Sequence, residues 1–315
     1  MFCILRTWCP FVVFILVGID AFQTTTTTTG WHRRSLYTTA TRQSNRQTTN
    51  HRDAVSGSSS SISALRATAD PVGFIGLGIM GQGMAKRLLT EGIAGTPETP
   101  LVIWNRTPQK CLDFMEESND YNIEVASSPK KLVESCGVVY SMLSTPEASH
   151  EVFQHVLEGV SEKTSIVDCA TLAESDMVRM SQAVEEKGGR FLEAPVSGSK
   201  GPAAQGTLIF LCSGSSQLFE EIQHGGLNAM GKASYFLNET VGYGTRAKLV
   251  VNALMATMLA AYGEALSLSR EVGLDESTIV DIVQQGAMAN PMFGLKAKNM
   301  VSGQHGDTQF PLKHA

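Results

Sequence analysis

No two cysteines in this chain stand at C-x-x-C or Cys/His metal spacing. The six, Cys3, Cys9, Cys111, Cys136, Cys169 and Cys212, are scattered through apolar stretches. A zinc ribbon and a disulfide framework are therefore not expected, reduced thiols are, and no metal site is proposed. Charge is sparse too, at 17% of residues, and unevenly signed. Residues 1–69 hold seven Arg, no Lys and two acids, which leaves the rest of the chain at about −10. So acidic a body has no bulk field for nucleic acid, and no nucleic-acid partner is expected. Past the N-terminus no apolar run is expected to span a membrane. What is present, 315 residues with 43% hydrophobic content, suffices for one or two well-cored domains.

The first 21 residues, "MFCILRTWCPFVVFILVGIDA", join Arg6 to a short apolar core and end on small Ala21. That pattern predicts a cleaved signal peptide over 1–21. Residues 22–69 are rich in Ser, Thr and Arg, carry Asp53 as their only acid, and cannot build a core. They read as a disordered, transit-peptide-like segment. A signal peptide joined to such a segment at Ala21-Phe22 resembles the two-part plastid presequences of algae, so a plastid is expected. A mitochondrial address, or a secreted protein with a disordered arm, is the alternative.

At residues 71–89, "PVGFIGLGIMGQGMAKRLL" places three glycines between an apolar, β-prone run and a helical periodicity. This is the strand-to-helix junction where the dinucleotide fingerprint G-x-G-x-x-G belongs. Gly76 permits the tight turn, Gly78 lets the backbone approach a pyrophosphate, and Gly81 lets the helix pack on the sheet. The candidate cofactor loop is Gly76, Leu77, Gly78, Ile79, Met80 and Gly81. Free N–H groups at the helix start would face the phosphates. The next strand, "PLVIWNRT", ends at Asn105, where NAD-binding folds usually place an acid. Asn105, Arg106 and Thr107 stand there instead. Arg106 can pair with a 2′-phosphate and Thr107 can donate to it, so NADP (as NADPH) is the expected cofactor. Two blander readings compete, a solvated Arg106 and a glycosylation sequon at Asn105-Arg106-Thr107.

The βα rhythm continues through "IEVA", "GVVYSML", "TSIVDCA" and "RFLEAPVSG", with helical stretches between them and two further strands, "TLIFLCSG" and "ASYFLN". The expected fold is α/β: a Rossmann-type doubly wound sheet, then a long interdomain helix opening an incomplete all-α domain. Residues 70–240 would form the NADP-binding domain and 241–315 the start of the all-α one. Functional loops should follow strand C-terminal ends, at 143–146, 169–172 and 195–201.

From Pro71 to Ala315 the chain resembles the β-hydroxyacid dehydrogenase family. "GFIGLGIMG", "MLSTP", "APVSGS" and "GYGTRAKLVVN" occur in the family's order and at its spacing. Within it, "WNRT", "PVSGSK", "GAMANPMF" and "FPLKH" most resemble plant glyoxylate/succinic semialdehyde reductases, which use NADPH. The resemblance implies that Lys248 is the catalytic lysine, giving its proton to a carbonyl oxygen, with Asn252 one turn on orienting it. It places the substrate carboxylate on Ser197, Gly198 and Ser199, where the family normally has Ser-Gly-Gly. It sets Thr171 near substrate and cofactor, although Ala170 departs from the usual Ser, and packs Met142 and Leu143 on the cofactor. The implied substrate is a small carboxylate-bearing aldehyde, and the implied assembly a homo-oligomer with no membrane in the mature protein. The 6-phosphogluconate dehydrogenases carry His where Val251 stands. Alternatives are an NAD-linked 3-hydroxyisobutyrate dehydrogenase and a non-catalytic NADP-binding paralogue. Relatives run on past "FPLKH" into a Lys-Asp motif, to which Lys313 is not equivalent, so the chain is expected to be a fragment.

Overall fold

The computed structural model describes residues 70–304. The expected signal peptide, the transit-like segment and the "FPLKH" motif with Lys313 lie outside them. Strands β1 (Val72–Ile75), β2 (Leu101–Trp104), β3 (Ile123–Val125), β4 (Val138–Ser141), β5 (Ser165–Asp168) and β6 (Arg190–Glu193) pair in parallel in the order β3-β2-β1-β4-β5-β6. That is the dinucleotide-binding strand order, and it reverses between β1 and β4. The central strands are apolar nearly throughout because helices cover both faces. Helices α1 (Gly81–Thr90) and α2 (Gln109–Glu116) pack Met84, Leu88 and Phe114 against Phe74 and Ile103 on one face. On the other, α3 (Pro129–Ser135), α4 (Pro146–Gly159) and α5 (Glu174–Glu185) set Leu132, Val152 and Met177 against Ile75, Val139 and Ile166.

Helix starts follow the sequence closely. Ser128 caps α3 by accepting from Lys131 N–H and Thr145 caps α4 from Ala148 N–H, each with proline in the first turn. The expected single strand "RFLEAPVSG" is broken. Proline has no N–H to give a ladder, so β6 ends at Glu193 and a two-residue β7 (Val196–Ser197) resumes after Ala194-Pro195. Both pair antiparallel with β8 (Leu208–Gly214), and β9 (Gly231–Asn238) adds parallel on β8's other side. Short helices α6 (Lys200–Gln205) and α7 (Ser216–Ile222) flank β8.

Helix α8 (Tyr243–Glu271) then runs 29 residues, roughly 44 Å. Its far half packs with α9 (Glu276–Gln285) and α10 (Pro291–Ser302), where Tyr262 and Phe293 stack with centroids 4.3 Å apart. One expectation needs correction. By length and composition α8 is apolar enough to cross a membrane, with a mean hydropathy of 1.5 over its most apolar window. Leu249, Val250, Val251 and Leu254 on it are exposed. Its own charges, Arg246 and Lys248 near the start and Glu264, Arg270 and Glu271 toward the end, leave residues 249–263 uncharged.

Candidate active site

The cofactor loop closes at the strand-order reversal. Gly76 sits at φ +98° just past β1, and a Cβ there would lie 2.4 Å from the Met142 carbonyl oxygen. At Gly81 a Cβ would meet the Gly76 carbonyl oxygen at 1.8 Å, so any side chain would force the turn open. Helix α1 begins without a side-chain cap and with no acid in its first turn, leaving its positive end available to an anion. Ile79 is exposed on the turn, while Leu77 and Met80 are buried beneath it. Met142 and Leu143, at the end of β4, wall the other side. Met142 N–H donates to Ile75 at 2.9 Å, and the Leu143 side chain lies 3.1 Å from the position of a Gly76 Cβ.

Asn105 stands at the end of β2, where dinucleotide folds usually place a ribose-facing acid, and its side chain is held by the loops around it. Its Oδ1 accepts from Leu77 N–H at 2.9 Å and its Nδ2 donates to the Thr107 carbonyl at 3.0 Å. The side chain therefore braces the glycine loop against the β2 loop. Both ends of the amide are committed, which disfavours the sequon reading. Arg106 and Thr107 are exposed beside it, and Arg106 pairs with Glu151 on α4 at 3.2 Å. Each partner is more than 60% exposed. Such a surface pair is worth roughly 0–1 kcal/mol, little enough for a phosphate to displace.

The other half of the site is organised by buried acids that sequence reasoning did not single out. Ser141, Asp168, Glu193 and Ser213 are paired neighbours in one row across β4, β5, β6 and β8. All four are buried. Asp168 accepts from the Ser141 hydroxyl at 2.5 Å and from Ala170 N–H at 3.0 Å, which shapes the loop to Thr171. Burial pushes its carboxyl up to about 6, against the lowering effect of those bonds, and Glu193 adds to the rise. Glu193 accepts from the Ser213 hydroxyl, from Gly242 and Gly244 N–H at 2.6 and 2.8 Å, and from Thr245 Oγ1 at 2.9 Å. A sequence signal existed: an acid ending a strand behind two apolar residues, just before a candidate loop, in both "SIVD" and "RFLE".

Lys248 lies one turn beyond Gly244 and is only 8% exposed. Burial alone lowers its ammonium below the usual lysine range, and it makes no ion pair among the described residues. Asn252, four residues on, is half-buried on the same helical face, whereas Leu249, Val250 and Val251 between them are exposed. The start of α8 is also tied to α5. Arg246 donates to Glu174 through two nitrogens, one at 2.8 Å, and Glu174 is held below the usual carboxylate range by that bond. Ser197 is half-buried on β7. Exposed Gly198 follows at φ +145°, and Ser199 stands at the start of α6. Thr171 is half-buried between β5 and α5. The structure ties the start of α8 to the ends of β6 and β8 through Glu193 and Ser213, and to α5 through Glu174. No hydrogen bond among the described residues joins Lys248 to Asn252, Thr171 or Ser197–Ser199.

Residues 71–244, more than half of the chain, match the family described as the NAD binding domain of 6-phosphogluconate dehydrogenase. Residues 242–315 match that described as the NAD-binding of NADP-dependent 3-hydroxyisobutyrate dehydrogenase. The chain belongs to the β-hydroxyacid dehydrogenase family. Within this family it is 39% identical over 246 residues to glyoxylate/succinic semialdehyde reductase 2, chloroplastic, of Arabidopsis thaliana, covering 77% of this chain and 65% of that one. The identity to glyoxylate/succinic semialdehyde reductase 1 of the same plant is also 39% over 246 residues, covering 77% and 81%. The chain thus spans less than two thirds of the first relative's length and more of the second's. A solved 3-hydroxyisobutyrate dehydrogenase of Salmonella typhimurium shares the fold, with a TM-score of 0.64 at 23% identity over 75% of this chain and 80% of that one. This β-hydroxyacid dehydrogenase relative therefore carries a nicotinamide-dinucleotide-binding domain of the oxidoreductase class.

Proposed function

We propose that the chain reduces a small aldehyde-acid, glyoxylate or succinic semialdehyde, with NADPH and with Lys248 as proton donor. The observation that carries this reading is Lys248 itself, a buried lysine with no ion-pair partner among the described residues, one turn beyond the Gly244 that Glu193 holds at the end of β6. The cofactor supplies the hydride when bound. The lysine's part is to give a proton to the developing alkoxide while its charge stabilises that oxygen, and burial weakens its hold on the proton. Asn252 orients the ammonium from the same face. Ser197, the open backbone of Gly198 and Ser199 take the carboxylate, with Thr171 beside them. Gly76–Gly81, Arg106, Thr107, Met142 and Leu143 hold the cofactor, and Asn105 fixes the loop geometry.

Within this reading, residues 70–240 form the NADP-binding domain and 241–315 the start of the substrate domain. The names of the two Arabidopsis relatives support the substrate class. The chloroplastic relative and the presequence composition support a plastid address. The exposed apolar residues of α8 offer the surface that a homo-oligomer would cover. One observation favours the NAD-linked 3-hydroxyisobutyrate dehydrogenase alternative, namely that Arg106 already has Glu151 as a partner.

Coenzyme preference with glyoxylate separates the two. The reading expects NADPH to be preferred, and Arg106→Ala to weaken NADPH about tenfold or more while NADH changes less than about twofold. An NADH preference in the unaltered chain would move the assignment to the alternative.

A further inference from the structure

We infer that Glu193 is a positioning residue that registers both the candidate proton donor and the candidate carboxylate anchor on one buried point. The inference rests on the reading of Lys248 as donor. Helix α8 begins inside the protein, with Gly242, Gly244 and Thr245 all buried and no side chain of its own capping the start. Its first N–H groups cannot turn to water, so they need partners from elsewhere in the fold. Glu193 reaches them from the end of β6. Its Oε1 takes Gly242 and Gly244 N–H and the Ser213 hydroxyl, and its Oε2 takes the Thr245 hydroxyl. Gly244 N–H is shared with Ser213 Oγ at 3.2 Å.

A carboxylate with no exposed surface is costly to bury unless donors satisfy it, and here four do. Its charge also faces the positive end of α8. The arrangement is therefore a fixed point. Lys248 stands three residues beyond Thr245, about 4.5 Å along a rigid helix. Ser197 stands four residues beyond Glu193, and both pair with the same strand, Glu193 with Ser213 and Ser197 with Ile209. Proton donor and anchor are thus both measured from Glu193, across the break that Pro195 makes between β6 and β7. An amide in this place keeps one acceptor oxygen for the glycine N–H groups and turns a second donor toward Thr245, so the start of α8 shifts by a fraction of an ångström. A 1 Å misplacement away from the chemistry costs on the order of a hundredfold in rate, so a smaller shift is expected to cost about tenfold.

The test is Glu193→Gln in the full chain, alone and combined with Lys248→Met. It is read as kcat with glyoxylate and as NADPH affinity by nicotinamide fluorescence. The expected result is a kcat loss of about tenfold or more with NADPH affinity within about twofold, and less than about twofold further loss in the Lys248→Met background. Wild-type kcat in a folded Glu193→Gln protein overturns the inference. So does an equal fold-loss in both backgrounds, which marks a general structural role. If Lys248→Met alone leaves turnover intact, the proton-donor reading itself fails, whatever Glu193 does. Should Glu193→Gln not fold, Thr245→Val strips a single donor. A several-fold kcat loss at unchanged NADPH affinity then supports the inference, and an unchanged kcat overturns it.

Discussion

The two halves of the site are held by different means. At β1, β2 and β4 the loops are fixed by backbone geometry, through the crowded glycines 76 and 81, ladder bonds and the neutral amide of Asn105. At β5, β6 and β8 they are fixed by two buried carboxylates and the hydroxyls and N–H groups around them. The contrast suits the two proposed ligands. A dinucleotide brings its own phosphates and needs donors and room, so a side chain in the loop would only obstruct it. A small aldehyde-acid leaves most of the geometry to the protein, and rigidly bonded buried acids can set that geometry without touching it.

Breaking the backbone-held half should have the larger effect. Gly81→Val puts a branched side chain where a Cβ alone would overlap the Gly76 carbonyl. The turn and helix α1 then cannot both keep their places. Dinucleotide binding is expected to fall below detection in isothermal titration, with a stability loss of about 2–4 kcal/mol in urea unfolding.

The acid-held half should respond in the opposite sense at one position. The Asp168 carboxyl sits near 6, above its unfolded value, so between about pH 4 and 6 the folded state binds more protons than the unfolded chain. Its favourable contribution is therefore complete below that window and lost as pH rises through 6. Asp168→Asn keeps an acceptor for Ala170 N–H and removes the buried charge. A stability gain on the order of 1–2 kcal/mol at pH 7.5 is expected, shrinking to nothing near pH 4, as read from urea midpoints at both pH values. A loss at pH 7.5 would show that the charge is needed for the loop rather than tolerated by it.

The same division explains what could be read in advance. The glycine turn between β1 and α1 is local, set by residues within a few positions of one another. The doubly wound order followed from the βα rhythm. The roles of Asp168 and Glu193 were not legible, because their partners lie up to 52 residues away and an acid at a strand end looks like a solvated charge. The bond of Asn105 to the glycine loop was hidden for the same reason, since Leu77 is 28 residues distant. Pro195 was visible, but its effect depended on β8 folding back to pair with both β6 and β7. The exposure of α8 escaped notice because its apolar residues show no one-sided stripe to say which face is covered.

The central claim is that Lys248 is held buried, at a cost to the fold, in order to give a proton. Lys248→Met tests it most directly, with glyoxylate turnover, NADPH affinity and melting temperature measured on one preparation. The expected result is a kcat loss of about a hundredfold or more with NADPH affinity within about twofold. The melting temperature should rise at neutral pH, because the buried ammonium has a lowered pKa and is replaced by an apolar chain of similar length. Undiminished turnover, or a melting temperature that falls together with NADPH affinity, would contradict it, making Lys248 a structural residue of α8 and leaving the chemistry to another group.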